Sequence, residues 1–77
     1  MYVRIRQLRE DNDLTQKVVA DYLYCDQSLY SKYERGVRDI PVGIVVKLAK
    51  LYGTSTDYIL GLTDVKEPYK RISEKTH

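Results

Sequence analysis

Apolar residues recur along this chain at helical rather than strand spacing. In VRIRQLRE, Val3, Ile5 and Leu8 precede the polar stop Asp11-Asn12-Asp13, which predicts a helix over about residues 2–11. The opening YVRIR also alternates as an edge strand would, but its continuation through Leu8 and the acidic stop favour the helix. LTQK opens the next element. Thr15 is a good N-cap, because its hydroxyl can accept from a free backbone N–H of the first turn. Val19, Ala20 and Leu23 then share one face of a helix over about 16–23. The capping box is incomplete, since Val18 stands where Glu or Gln would bond back. Asp26 offers a further N-cap, with a charge suited to the positive helix end. Gly36 offers a stop, because glycine enters the left-handed region without strain. Together they bracket a helix over about 27–35, although neither Gly nor Pro marks the break Tyr24-Cys25-Asp26 before it.

VGIVVKLAKLY places Val42, Val45, Ala49 and Tyr52 on one face, with Val46 and Leu48 on its flanks. Pro41 suits the start of this helix and Gly53 its end. The β-branched run Ile44-Val45-Val46 favours a strand, but Lys47 to Tyr52 and the caps decide for helix. Ser55 caps a last short helix through about Leu60, ended by Gly61. The pattern predicts an all-α fold of five helices in one domain over residues 1–63. Residues 64–77 form a charged C-terminal tail, either of low order or supporting a dimer.

Composition narrows the function. The chain has 77 residues, 43% hydrophobic and 31% charged, which fits one small globular domain with a modest core. It has no apolar run long enough to cross a membrane. MYVRIRQLRE lacks the apolar core of a secretory signal, and one cysteine cannot close a disulfide within the chain, so a cytoplasmic location is expected. Phe and Trp are absent while Tyr occurs eight times, so tyrosines must supply the aromatic packing. The net charge is only +2, and residues 64–77 hold +1 of it (Lys66, Lys70, Arg71 and Lys75 against Asp64, Glu67 and Glu74). Nucleic-acid binding would therefore depend on where charges sit, not on bulk basicity.

The third helix, DQSLYSKYERG with its caps, carries the most informative face. At about 100° per residue from Gln27, the apolar Leu29, Tyr33 and Tyr30 fall between about 200° and 300°. Ser31, Arg35, Ser28 and Lys32 fall between about 40° and 140°, on the opposite side with Gln27, and that side carries no acid. Glu34 lies at the margin beside Tyr30. Most polar helix faces are simply solvated. These residue types also suit base reading: Gln pairs with adenine, Lys or Arg with guanine, Ser with either. A short helix before it, separated by a three-residue break, matches a helix-turn-helix.

The ordered series Leu14-Thr15-Gln16, Ala20, Leu23, Ser28, Ser31, Tyr33-Glu34-Arg35-Gly36, Lys47-Leu48-Ala49-Lys50 and Asp57-Tyr58-Ile59-Leu60-Gly61 resembles the Cro and phage-repressor-like (XRE family) regulators. The match covers about residues 3–62. YERG alone would be weak; the whole series at correct spacing is specific. The resemblance implies a lambda-repressor-like domain whose second and third helices form the helix-turn-helix. It implies base contacts by Gln27, Ser28 and Lys32, with Ser31 close by, and a phosphate contact by Gln16, which also braces the recognition helix. Lys17, Arg35 and Arg38 are further phosphate candidates. Arg9 and Glu34 match an ion pair that joins the first and third helices in some phage repressors. Tyr24 departs from the pattern, standing where Gly is usual. Gly43 weakens the first turn of the fourth helix.

Other chemistry is thin. Cys25 reads as a small buried hydrophobe. One His and one Cys make no metal site, and no nucleophile–base pair or phosphate-cradling glycine loop is present, so neither catalysis nor a cofactor is expected. The resulting expectation is a sequence-specific transcriptional regulator binding a palindromic operator in double-stranded DNA as a homodimer. It would act by occlusion as a repressor, or through RNA polymerase. Ile44, Tyr58, Ile59 and Leu62 are the candidates for the dimer surface. The alternative is a protein-interaction module, antitoxin-like or held by an antagonist protein, suggested by the strip Tyr58, Ile59, Leu60, Leu62 and the charged tail.

Overall fold

The computed structural model describes residues 4–68. Five helices follow one another: α1 (Ile5–Asp11), α2 (Gln16–Leu23), α3 (Gln27–Glu34), α4 (Val42–Tyr52) and α5 (Thr56–Ile59). No strand occurs among the described residues. Each helix gives its apolar face to one core of Ile5, Leu8, Val19, Ala20, Leu23, Tyr30, Tyr33, Val45, Leu48, Ala49 and Ile59. Burying a side chain the size of Leu or Ile contributes roughly 1.5–3 kcal/mol, and every helix supplies at least one member. Short helices of this length are marginal alone, so the shared core stabilises them together.

The helix boundaries follow from caps. Thr15 accepts from the Val18 N–H at 3.2 Å, and Ser55 accepts from the Tyr58 N–H at 3.0 Å. Asp26 stands at the N-cap of α3 with an extended backbone, but its side chain makes no capping bond, contrary to expectation. At its other end α3 stops at Glu34 with Arg35 as C-cap. There the Gly36 N–H bonds to the Tyr33 carbonyl and the Val37 N–H to the Lys32 carbonyl, the paired arrangement that closes a helix over a left-handed residue.

The same closure ends α1 at Asp13 and α2 at Tyr24, both with φ of 57°. Neither is glycine, and a β-carbon in that region costs about 1 kcal/mol. The turn before α3 thus keeps the geometry that glycine usually provides, with a tyrosine in it.

Three expectations change. α1 begins at Ile5 with Arg4 as its N-cap, whose own N–H is donated to the Ile59 carbonyl at 2.9 Å; residues 2 and 3 of the expected helix lie outside the described region. On α4 the inward face is Val45, Leu48 and Ala49, while Val42 in the first turn is 78% exposed. Ile59 is wholly buried in the core, so it offers nothing to a dimer surface. Beyond α5 the chain turns back. Arg4 bonds Asp64 at 2.7 Å and the Thr63 carbonyl at 3.2 Å, and the Thr54 hydroxyl donates to the Lys66 carbonyl. The rest of the expected tail, 69–77, lies outside the described residues.

Candidate nucleic-acid interface

Tyr30 and Tyr33 are buried and Leu29 packs against the same core, which fixes the rotation of α3. That rotation leaves Gln27, Ser28 and Arg35 exposed and Ser31 and Lys32 half-buried. Ser31 accepts from Arg35 Nε at 3.3 Å, a bond along the outer face one helical turn long. No acid lies in the first turn of α3, and the one acid on the helix, Glu34, is turned away from this face.

Glu34 is the centre of an internal polar network. Its carboxylate takes Arg9 in a two-pronged bond, Nε to Oε2 at 2.6 Å and Nη2 to Oε1 at 3.2 Å. Gln16 Nε2 donates to the same Oε1 at 3.0 Å. Arg9 also donates to the Leu14 carbonyl at 2.9 Å, so one guanidinium links α1, the approach to α2, and α3. The Glu34 side chain is 2% exposed. Burial alone would raise its pKa, but the Arg9 hydrogen bonds, the neighbouring Tyr30 hydroxyl, the Gln16 bond and the Arg9 charge together prevail and hold it below the ordinary value. The bond to Glu34 in turn raises the Arg9 pKa. The Tyr30 and Tyr52 hydroxyls are buried beside this network without a well-formed hydrogen bond. Burial pushes the Tyr52 phenol up to about 12.

Gln16, at the first position of α2, is half-buried and has one amide hydrogen engaged by Glu34. An amide nitrogen carries two hydrogens, so the second stays available at the helix N-terminus, where backbone N–H groups and the dipole favour an anion. Lys17, beside it, lies 3.5 Å from Asp21 in an exposed pair that competes only weakly for the ammonium. Arg38 is exposed in the loop after α3. The candidate base-reading and phosphate residues therefore lie on α3, at the start of α2 and in the loop that follows α3.

The proposed dimer residues are dispersed in role. Leu62 is 72% exposed; Ile44 and Tyr58 are half-buried, and the Tyr58 ring lies under the Arg4 guanidinium, 4.3 Å from its centroid. Since Ile59 is internal, the apolar strip that suggested a protein-interaction module shrinks to Leu62 and the edges of Tyr58 and Leu60. The Cys25 thiol is half-buried and raised in pKa by burial and by Asp26, so it lacks the low pKa of a reactive thiol. No cluster of three or more metal-ligating side chains occurs among the described residues, and no helix there is long and apolar enough to cross a membrane.

Two features had no signal in the sequence. One is the Arg4–Asp64 contact, sixty positions apart. The other is the stacking of Lys47 on Tyr24, 5.6 Å from ammonium to ring centroid. Neither pair has a local spacing by which a one-dimensional pattern could find it.

Comparison with known proteins gives a consistent result. A helix-turn-helix family model matches residues 5–59. The uncharacterized HTH-type transcriptional regulator YobD of Bacillus subtilis is 43% identical over 65 residues, covering 84% of this chain and 58% of that protein. The HTH-type transcriptional regulator ImmR of the same organism is 38% identical, over 83% of this chain and 50% of its own length. The cryptic phage CTXphi transcriptional repressor RstR of Vibrio cholerae is 40% identical, over 65% of this chain and 45% of its own. The chain thus spans about half the length of the curated relatives it matches. No solved structure matches significantly.

Proposed function

This chain belongs to the Cro and phage-repressor-like helix-turn-helix family, and from that membership we propose that it is a sequence-specific DNA-binding transcriptional regulator. The observation that carries the reading is the sorting of charge on α3. Its one acid is buried and neutralised by Arg9, while Gln27, Ser28, Ser31 and Lys32 face outward from a helix whose rotation the core has fixed.

In this reading α3 enters the major groove. Gln27, Ser28, Ser31 and Lys32 meet base edges. Gln16 and Lys17 at the start of α2, with Arg35 and Arg38 at the far end of α3, hold phosphates and so set the register of the helix without reading sequence. Two copies related by a two-fold axis would place their recognition helices about 34 Å apart on a palindromic operator. Occupancy of such a site would repress by occlusion, and contact with RNA polymerase is the other route to regulation.

Selection of bound sequences from random DNA tests the reading, because it returns motif, half-site spacing and symmetry together. Within the selected site, Lys32→Ala weakens operator binding more than binding to random duplex. Arg38→Ala weakens both alike and flattens the salt dependence by about one unit of slope. Equal losses on both DNAs for Lys32→Ala would remove it from the base-reading set. Selection that enriches no motif, together with copurification of a stoichiometric protein partner, would replace the reading by a protein-interaction module.

A further inference from the structure

The turn between α2 and α3 holds a side chain that the fold does not use. Tyr24 has φ 57° and ψ 43°, a conformation that glycine adopts without strain. The residue is 90% exposed. Neither the backbone geometry nor the core accounts for an aromatic group here, and strain kept at an exposed position is a pointer to function.

The ring is not isolated. The Lys47 ammonium of α4 lies 5.6 Å from its centroid, within cation–π range. The Lys47 carbonyl accepts from the Tyr22 hydroxyl at 3.4 Å, which ties this part of α4 to the end of α2. Among the described residues no carboxylate lies within ion-pair distance of Lys47. Of the acids near in sequence, Asp21 faces Lys17, and Asp26 stands uncommitted at the N-cap of α3.

We propose that Tyr24 and Lys47 together form a phosphate-backbone contact beside the recognition helix. The proposal rests on the DNA-binding reading above. Tyr24 precedes Gln27 by three residues, a span of at most about 10 Å, and the major groove is about 12 Å wide. With Gln27 at a base edge, a side chain projecting from position 24 is within reach of the phosphate rim of that groove. The phenol hydroxyl donates to a phosphate oxygen, a contact open to tyrosine. The Lys47 ammonium over the ring adds a positive charge at the same place.

The test uses Tyr24→Gly, Tyr24→Phe and Lys47→Ala in the full chain. Each is titrated against the selected operator and a random duplex over a range of salt, with thermal unfolding in parallel. Tyr24→Gly relieves the strained turn and raises Tm by about 5 °C, yet binds both DNAs about 5-fold more weakly. Tyr24→Phe shows the same equal loss on both DNAs, because the hydroxyl is the donor. Lys47→Ala lowers the salt slope by about one unit. Stability and binding moving in opposite directions separates a ligand contact from a structural role. Unchanged binding by Tyr24→Gly overturns the proposal, and if repression in cells is lost all the same the patch belongs to a protein partner. A loss confined to the operator also overturns it, since a phosphate contact does not discriminate sequence. A wild-type chain that binds neither DNA rejects the underlying DNA-binding reading itself, whereas wild-type binding with unaffected variants rejects only this contact.

Discussion

At the scale of the residue, burying the Glu34 carboxylate is unfavourable until Arg9 and Gln16 supply donors to it. The Arg9 pair is two-pronged and nearly excluded from water, so removing one partner leaves the other uncompensated. Glu34→Ala is expected to lower the unfolding free energy by about 3 kcal/mol at neutral pH, which urea denaturation would measure. The charge also makes stability depend on pH. The folded pKa lies below the ordinary value of 4.5, so the unfolded chain takes up the proton first on acidification. The contribution is complete above about pH 5, begins to fall as pH drops through 4.5, and is lost once pH falls through the lower folded value. A Glu34→Gln chain, measured alongside wild type, should lose less stability between about pH 5 and pH 3. The pair was legible only through the family resemblance. On the helical wheel Glu34 sits at a margin, and its partner lies 25 positions away.

At the scale of the element, periodicity and caps gave α2 and α4 their limits and α3 and α5 to within a residue at one end. The C-terminal limits of α1 and α2 fell where the pattern placed them, although a non-glycine residue closes each. Asp13 and Tyr24 enter the left-handed region because hydrogen bonds to the preceding turn and burial of the following residues favour that closure over the local strain. Gly43 is the opposite case. It lies in the first turn of α4 at helical φ, and a β-carbon added there meets nothing within 4 Å. Gly43→Ala should therefore stabilise the domain by about 0.5 kcal/mol, seen as a small rise in Tm. A drop in Tm would mean that the first turn of α4 is held by something other than its own propensity. The exposure of Val42 belongs to this scale as well: the sequence placed it on the inward stripe, but the core ends one turn short of it.

At the scale of the whole molecule, the two ends of the described chain meet. Arg4 stacks on Tyr58, bonds Asp64 and the Thr63 carbonyl, and donates its backbone N–H to Ile59. This places Leu62 outward on a segment held at both sides. A homodimer through that region predicts that Leu62→Lys shifts the sedimentation mass toward one chain at tens of micromolar. Because Leu62 is exposed, its unfolding free energy should change by no more than about 0.5 kcal/mol. A wild-type mass of one chain, both free and on operator DNA, would instead exclude the dimer.

The helical class, the five elements, most of the core and the family were legible in the order of residues, because these rest on spacing along one helix or on an ordered run of residue types. That order also singled out the polar face of α3, since a wheel needs only the helical pitch. Only the packing of the helices shows that Ile59 is core rather than surface, that Gln16 is oriented by Glu34, that Arg4 closes on Asp64, and that the Lys47 ammonium lies over the Tyr24 ring. Each of these depends on which side chains the packing of separate helices brings together, and distance along the chain carries no record of that.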